Sequence, residues 1–167
     1  MRTVRIAVAA LLVLAAARPG VAQARPDFSG TWVEDESARK TTWPAQPAGG
    51  GKALSLPPAD TLVTQSAAAL TTERKVMSQV LRYVYRLDGT ESVNHNGANT
   101  LTTKSRWEGQ KLVTQGTSFS VTSAGESLWE IKETRWLDKS GAMITETTHK
   151  DEAGKVNVVT LTFRKKK

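Results

Sequence analysis

Short segments in which apolar and polar residues alternate run along the chain from Arg25 onwards, and glycine-containing turns separate them. An alternation with a period of two residues is typical of a half-buried β-strand. The clearest example spans residues 80–87, and Asp88-Gly89 after it favours a tight hairpin turn because both positions tolerate a positive φ angle. One face of this segment carries Leu81, Tyr83, Tyr85 and Leu87.

Ten segments show this pattern or a weaker form of it. They predict strands at residues 28–33, 60–65, 70–74, 80–87, 90–94, 100–107, 110–119, 126–137, 142–150 and 155–164. Short connections join them almost throughout, and no stretch after Arg25 has a helical pattern. Consecutive hairpins form a meander, and a long meander usually closes to remove its edges. The sequence therefore predicts an all-β fold, an up-and-down antiparallel β-barrel of about 8–10 strands in one domain over 25–167.

One long connection interrupts the meander. Residues 34–59 contain four prolines and the run Gly49-Gly50-Gly51, a composition typical of a loop. Loops of this length in compact domains are usually lids, binding loops or disordered segments, and all three interpretations stay open here. Trp43 is a large apolar residue within this otherwise polar stretch.

The first 24 residues have the layout of a secretory signal peptide. Arg2 and Arg5 precede an uncharged apolar run, residues 6–17, that is too short to span a bilayer comfortably. Ala22-Gln23-Ala24 then offers the small residues that signal peptidase requires. We expect cleavage after Ala24, a periplasmic or secreted bacterial protein, and no stable membrane insertion after cleavage.

Charge and cysteine content narrow the function classes. The full chain carries +7, and Arg2, Arg5 and Arg18 leave with the signal peptide, so +7 less three gives a mature net charge of +4. The basic terminus 164–167 accounts for this excess, which leaves the barrel close to neutral. Nucleic-acid binding needs a basic patch on a folded face, so we expect none, and we interpret the terminus as a solvated end. The lack of cysteine excludes thiol catalysis and cysteine-ligated metals.

A sequence motif, Pro26-Asp27-Phe28-Ser29-Gly30-Thr31-Trp32, follows the expected cleavage site. It resembles the Gly-x-Trp that opens the first strand of lipocalins, fatty-acid-binding proteins and related calycins, and the PDFSGTW start of a group of uncharacterised exported bacterial proteins. The resemblance implies that Gly30 lets the strand bend and that Trp32 plugs the closed end of a lipocalin-like barrel. It also implies a cation–π contact on Trp32 from Arg164 in the last strand. The alternative is an unrelated β-sandwich.

The segment 126–137 places charged residues among apolar ones. If the face with Trp129 and Ile131 points inward, Glu133 and Arg135 lie among hydrophobic residues and should pair or meet a polar ligand group. An interior arginine holds the carboxylate in the fatty-acid-binding barrels that the chain resembles. The alternative is that both charges face solvent or form a purely structural pair. The candidate ligand-binding residues are Tyr83, Tyr85, Trp129, Glu133 and Arg135.

Catalytic and metal-binding motifs are not evident. The two histidines, His95 and His149, have no spacing that brings them together with a carboxylate such as Glu146. We predict no enzymatic activity, no metal and no cofactor. Our first hypothesis is an exported barrel that binds a small, partly apolar or anionic ligand; the alternative is an envelope protein-interaction or inhibitor module. A cavity with polar anchors would favour the ligand, whereas a filled barrel would favour the protein partner.

Overall fold

A computed structural model of the chain describes residues 24–43, 60–123 and 125–167. The expected signal peptide, apart from Ala24, and residues 44–59 of the predicted loop lie outside the described residues. No helix in the described ranges is long and apolar enough to cross a membrane.

Eleven strands and one 3₁₀-helical turn make up the described part of the chain. They are β1 (Gly30–Glu34), the turn (Glu36–Ala38), β2 (Lys40–Thr41), β3 (Thr61–Gln65), β4 (Ala69–Val76), β5 (Gln79–Arg86), β6 (Glu91–Asn96), β7 (Asn99–Glu108), β8 (Lys111–Thr122), β9 (Gly125–Leu137), β10 (Met143–Asp151) and β11 (Val156–Lys165). All ten predicted strands are present, each within a few residues of its predicted bounds. The short strand β2 was not predicted.

The strands form one antiparallel sheet in the order β5-β4-β3-β1-β11-β10-β9-β8-β7-β6. Almost every strand pairs with its neighbour in the chain, as a meander requires, and β1 pairs with both β3 and β11. β2 lies beside β11 at Val159 and Thr160, beyond the point where β1 ends. The sheet curls into a nearly closed barrel, which confirms the predicted fold class.

The two ends of the sheet path, β5 and β6, meet through side chains rather than through a backbone ladder. The Asn94 side-chain oxygen accepts from the Val84 amide at 2.7 Å, and the Asn94 side-chain nitrogen donates to the Val84 carbonyl at 3.0 Å. The Ser92 hydroxyl accepts from the Arg86 amide at 2.8 Å, and the Asn96 side chain donates to the Arg82 carbonyl at 3.3 Å. We call this contact the seam; it closes the barrel.

A hydrophobic plug fills one end of the barrel. Trp32 and Phe28 are almost completely buried in it, and Nε1 of Trp32 donates to the Phe28 carbonyl oxygen at 2.8 Å. Other buried members come from several strands: Val63, Leu70, Tyr85, Leu87, Leu112, Met143 and Phe163. The turns β4–β5, β6–β7, β8–β9 and β10–β11 lie at the opposite end, which we call the mouth.

The cation over Trp32 is Lys165, and the predicted contact of Arg164 is wrong. The Lys165 ammonium nitrogen lies 5.6 Å from the centroid of the Trp32 ring. Register explains the difference: Lys165 pairs directly with Trp32 and shares its face, whereas Arg164 pairs with Val33 and points away. Arg164 instead binds Asp35 at 2.9 Å.

Gly30 has a specific role beside this pair. Its φ angle is +133°, which side chains rarely adopt, and a Cβ there would lie 2.5 Å from Cε of Lys165. The glycine therefore makes room for the lysine that covers Trp32. Lys166 binds Asp60 at 2.6 Å, so the basic end is anchored to the barrel and is not the freely solvated end predicted from sequence.

Candidate functional site

The barrel contains a cavity between the plug and the mouth. It has two adjoining halves of about 310 Å³ and about 290 Å³, and Tyr83, Tyr85, Glu133 and Thr147 line both. The half that we call the outer half is also lined by Asn99, Leu101, Thr114, Ser118, Ile131 and His149. The half that we call the inner half is also lined by Thr61, Val63, Thr72, Arg74, Leu81, Arg135, Met143, Thr145, Leu161 and Phe163.

Strand β9 brings the predicted ion pair into this cavity. Its inward face carries Ile131, Glu133 and Arg135, as the strand's alternation allows. Nη2 of Arg135 donates to Oε1 of Glu133 at 2.8 Å. Arg135 is only 6% exposed, and its Nε and Nη1 have no hydrogen-bond partner among the described residues. An unpaired buried N–H is costly, and a ligand acceptor would relieve this cost.

A second arginine, Arg74 on β4, lines the inner half and was not among the residues proposed from sequence. Its Nε is also buried without a hydrogen-bond partner in the described part of the chain. The signal was present: Arg74 shares the parity of Leu70 and Thr72, so a buried Leu70 places Arg74 on the inward face. Glu73, of opposite parity, binds Arg82 instead.

The two predicted tyrosines form one wall of the cavity. The rings of Tyr83 and Tyr85 are stacked with centroids 6.5 Å apart, and Cζ of Arg135 lies 5.9 Å from the Tyr85 centroid. Burial, reinforced by the negative charge of Glu133, raises the pKa of the Tyr85 phenol. The phenol therefore stays protonated beside the ion pair, and Arg135 lies against an aromatic ring.

Trp129, another predicted site residue, lies towards the mouth and is not among the residues that line either half. Its ring packs on that of Trp43 at 5.4 Å and on that of His149 at 6.4 Å. Trp43 also contacts His149, at 6.0 Å, so β2 carries this loop residue across to β9 and β10. Part of the predicted loop therefore covers the mouth, although Trp43 remains 40% exposed.

The histidines do not come together. His95 is exposed and its Nδ1 lies 3.1 Å from the Thr100 hydroxyl, whereas His149 lines the outer half. Burial lowers the pKa of His149, although the charge of Glu133 raises it in part, so the ring is neutral at neutral pH. Glu146 has the opposite parity to His149 and is exposed. No group of three metal-ligating side chains occurs within the described ranges.

The cavity has an excess of positive charge. Arg74 and Arg135 face it, and Glu133 is the one carboxylate among the described lining residues. Buried Glu34 accepts from Arg39 at 2.6 Å and is thereby neutralised. A charge-assisted bond from an anionic ligand would satisfy guanidinium N–H groups that have no partner now.

Comparisons with known proteins identify the fold. No family model matches this chain, and no curated protein sequence does. The structure is similar to that of the REP1-NXSQ fatty acid transporter, with 10% sequence identity, a TM-score of 0.53, and coverage of 83% of this chain and 96% of that one. A mutant of the same transporter gives 10%, 0.56, 83% and 97% in the same order, and human cRBP IV gives 13%, 0.49, 84% and 99%. The chain therefore has the fold of a lipocalin-like, fatty-acid-binding type of barrel.

Proposed function

We propose that this chain is an exported, lipocalin-like binding protein without catalytic activity, of the PDFSGTW type, that holds a small, partly apolar ligand with an anionic end. Arg135 is the observation that carries the proposal. A guanidinium this deeply buried, with two N–H-bearing nitrogens unpartnered and a cavity beside it, suits a carboxylate or a similar anion.

The walls of the inner half support an apolar body on that ligand. Val63, Leu81, Met143, Leu161 and Phe163 surround the space next to Arg74 and Arg135. Burying apolar ligand surface against such walls is favourable, at roughly 25 cal/mol per Å². A concave, largely apolar site with a few oriented polar groups is the usual form of a small-molecule site. The similar barrel described as a fatty acid transporter supports the same class of ligand.

The cavity also bears on the alternative hypothesis. A protein-interaction module needs no internal space, and its barrel would be filled by its own aromatic side chains. Tyr83 and Tyr85 line open space instead. This observation favours a small ligand over a protein partner.

We predict that Arg135→Gln weakens the binding of a fluorescent fatty-acid analogue by about 1–3 kcal/mol, the range for losing a charge-assisted hydrogen bond. The wild-type protein should bind the analogue at micromolar strength. Fluorescence titration measures both affinities.

Arg164→Gln is the matched control for this test, because Arg164 is exposed and its bond to Asp35 lies outside the cavity. Its affinity should equal that of the wild type. Equal affinities of the Arg135 and Arg164 variants would contradict the role of Arg135. A wild-type protein that binds nothing from a panel of lipids, retinoids, haem and aromatic acids would contradict the binding function itself.

Export is the second part of the proposal. N-terminal sequencing of the protein from the envelope fraction should begin at Arg25, because the sequence Ala22-Gln23-Ala24 precedes it. An intact Met1 on protein from the cytoplasmic fraction would contradict this prediction.

A further inference from the structure

The outer half of the cavity has a different chemistry from the inner half. Hydroxyl, amide, carboxylate and imidazole groups outnumber its apolar residues; they belong to Tyr83, Tyr85, Asn99, Thr114, Ser118, Glu133, Thr147 and His149. A purely hydrocarbon ligand would therefore meet apolar walls in the inner half and polar groups in the outer half.

Several of these polar groups have no protein partner. The Thr114 hydroxyl lies 2.8 Å from that of Ser105 and is satisfied. The hydroxyls of Ser118 and Thr147 make no side-chain hydrogen bond within the described part of the chain, and only Oε1 of Glu133 binds Arg135. In the empty cavity, water satisfies such groups.

Register places these groups in a series from Arg135 towards the mouth. Arg135 pairs with Thr145, so Thr147, opposite Glu133, lies two residues or about 7 Å nearer the mouth. Ser118 pairs with Trp129, six residues or about 20 Å beyond the level of Arg135. A ligand anchored by its anionic end at Arg135 would extend its middle past Thr147 and towards Ser118.

From this arrangement we propose that the ligand carries a hydroxyl or similar hydrogen-bonding group in its middle part, in addition to its anionic end. A plain alkyl chain displaces water from Ser118, Thr147 and Glu133 without replacing the hydrogen bonds, which lowers affinity. A mid-chain hydroxyl replaces them. The inference rests on the proposed function, because it assumes an anion at Arg135.

Oleate and ricinoleate test this inference. The two fatty acids have the same chain, double bond and carboxylate, and ricinoleate adds one mid-chain hydroxyl. Competition against a bound fluorescent fatty-acid analogue, on the wild-type protein, should show ricinoleate binding roughly tenfold more tightly, equivalent to about 1.4 kcal/mol.

A double variant, Ser118→Ala with Thr147→Val, should abolish this preference while leaving oleate affinity equal or higher. Thr117→Val with Thr148→Val is the matched control, because it alters the opposite faces of the same strands. It should keep the wild-type preference.

Three results would overturn the inference. Equal binding of both fatty acids by the wild type would mean that the outer half does not select a hydroxyl, while the proposed binding function stands. A preference that persists in the Ser118 and Thr147 variant would assign it to other residues. Failure of either fatty acid to displace the analogue, or of the analogue to bind, would contradict the anionic ligand and with it the proposed function.

Discussion

Trp32→Ala should lower the free energy of unfolding by about 3–5 kcal/mol, the range for truncating a large aromatic residue in a packed core. Trp32 is 1% exposed, and it lies among Phe28, Phe163 and Met143 in the plug. The substitution leaves a cavity that the barrel end cannot easily close, and it removes the donor to the Phe28 carbonyl. Chemical denaturation followed by circular dichroism measures the loss.

Trp43→Ala provides the comparison with the same chemical change at a partly exposed position. Trp43 is 40% exposed and contacts only the edges of the ring cluster at the mouth, so its removal should cost less than about 1 kcal/mol. Equal losses in the two variants would show that the assignment of core and mouth tryptophans is wrong.

Asn94→Ala should lower the free energy of unfolding by about 2–4 kcal/mol, because it removes both hydrogen bonds that the Asn94 side chain makes to Val84. The Val84 amide and carbonyl would then lack a partner at a place where no neighbouring strand supplies one. Denaturation measures the loss, and hydrogen exchange of the Val84 amide should become faster at the same time.

Asn96→Ala is the control within the seam. Its side chain makes one longer bond, 3.3 Å, to the Arg82 carbonyl at a more exposed position, so its loss should cost less than about 1 kcal/mol. If both variants lost the same stability, or if Asn94→Ala had no effect, the seam would not hold β5 and β6 together.

The strands and their inward faces could be predicted from sequence, because each depends on local alternation. Leu81, Tyr83 and Tyr85 share a face, and a face with this much apolar surface points into the barrel. The same argument applied to β9 correctly placed Glu133 and Arg135 inside. Asp88-Gly89 and the other glycine-containing turns then fixed where each strand ends.

Features that depend on contacts between distant segments could not be predicted in this way. Whether Arg164 or Lys165 covers Trp32 is decided by the register of β11 against β1, and the two basic residues are adjacent in sequence. Trp43 reaches the mouth because β2 pairs with β11 over a separation that alternation does not reveal. Arg74 escaped notice because the segment around it, Leu70 to Val76, has few apolar residues.

The seam has a consequence for how copies of this protein behave towards one another. A sheet edge with free amide and carbonyl groups acts as a template on which a strand from another molecule can add, which leads to aggregation. Ser92, Asn94 and Asn96 occupy these groups on β5 at every second residue, as a neighbouring strand would. The barrel thus hides its open edge with three polar side chains, and it does so without the rigidity of another ladder.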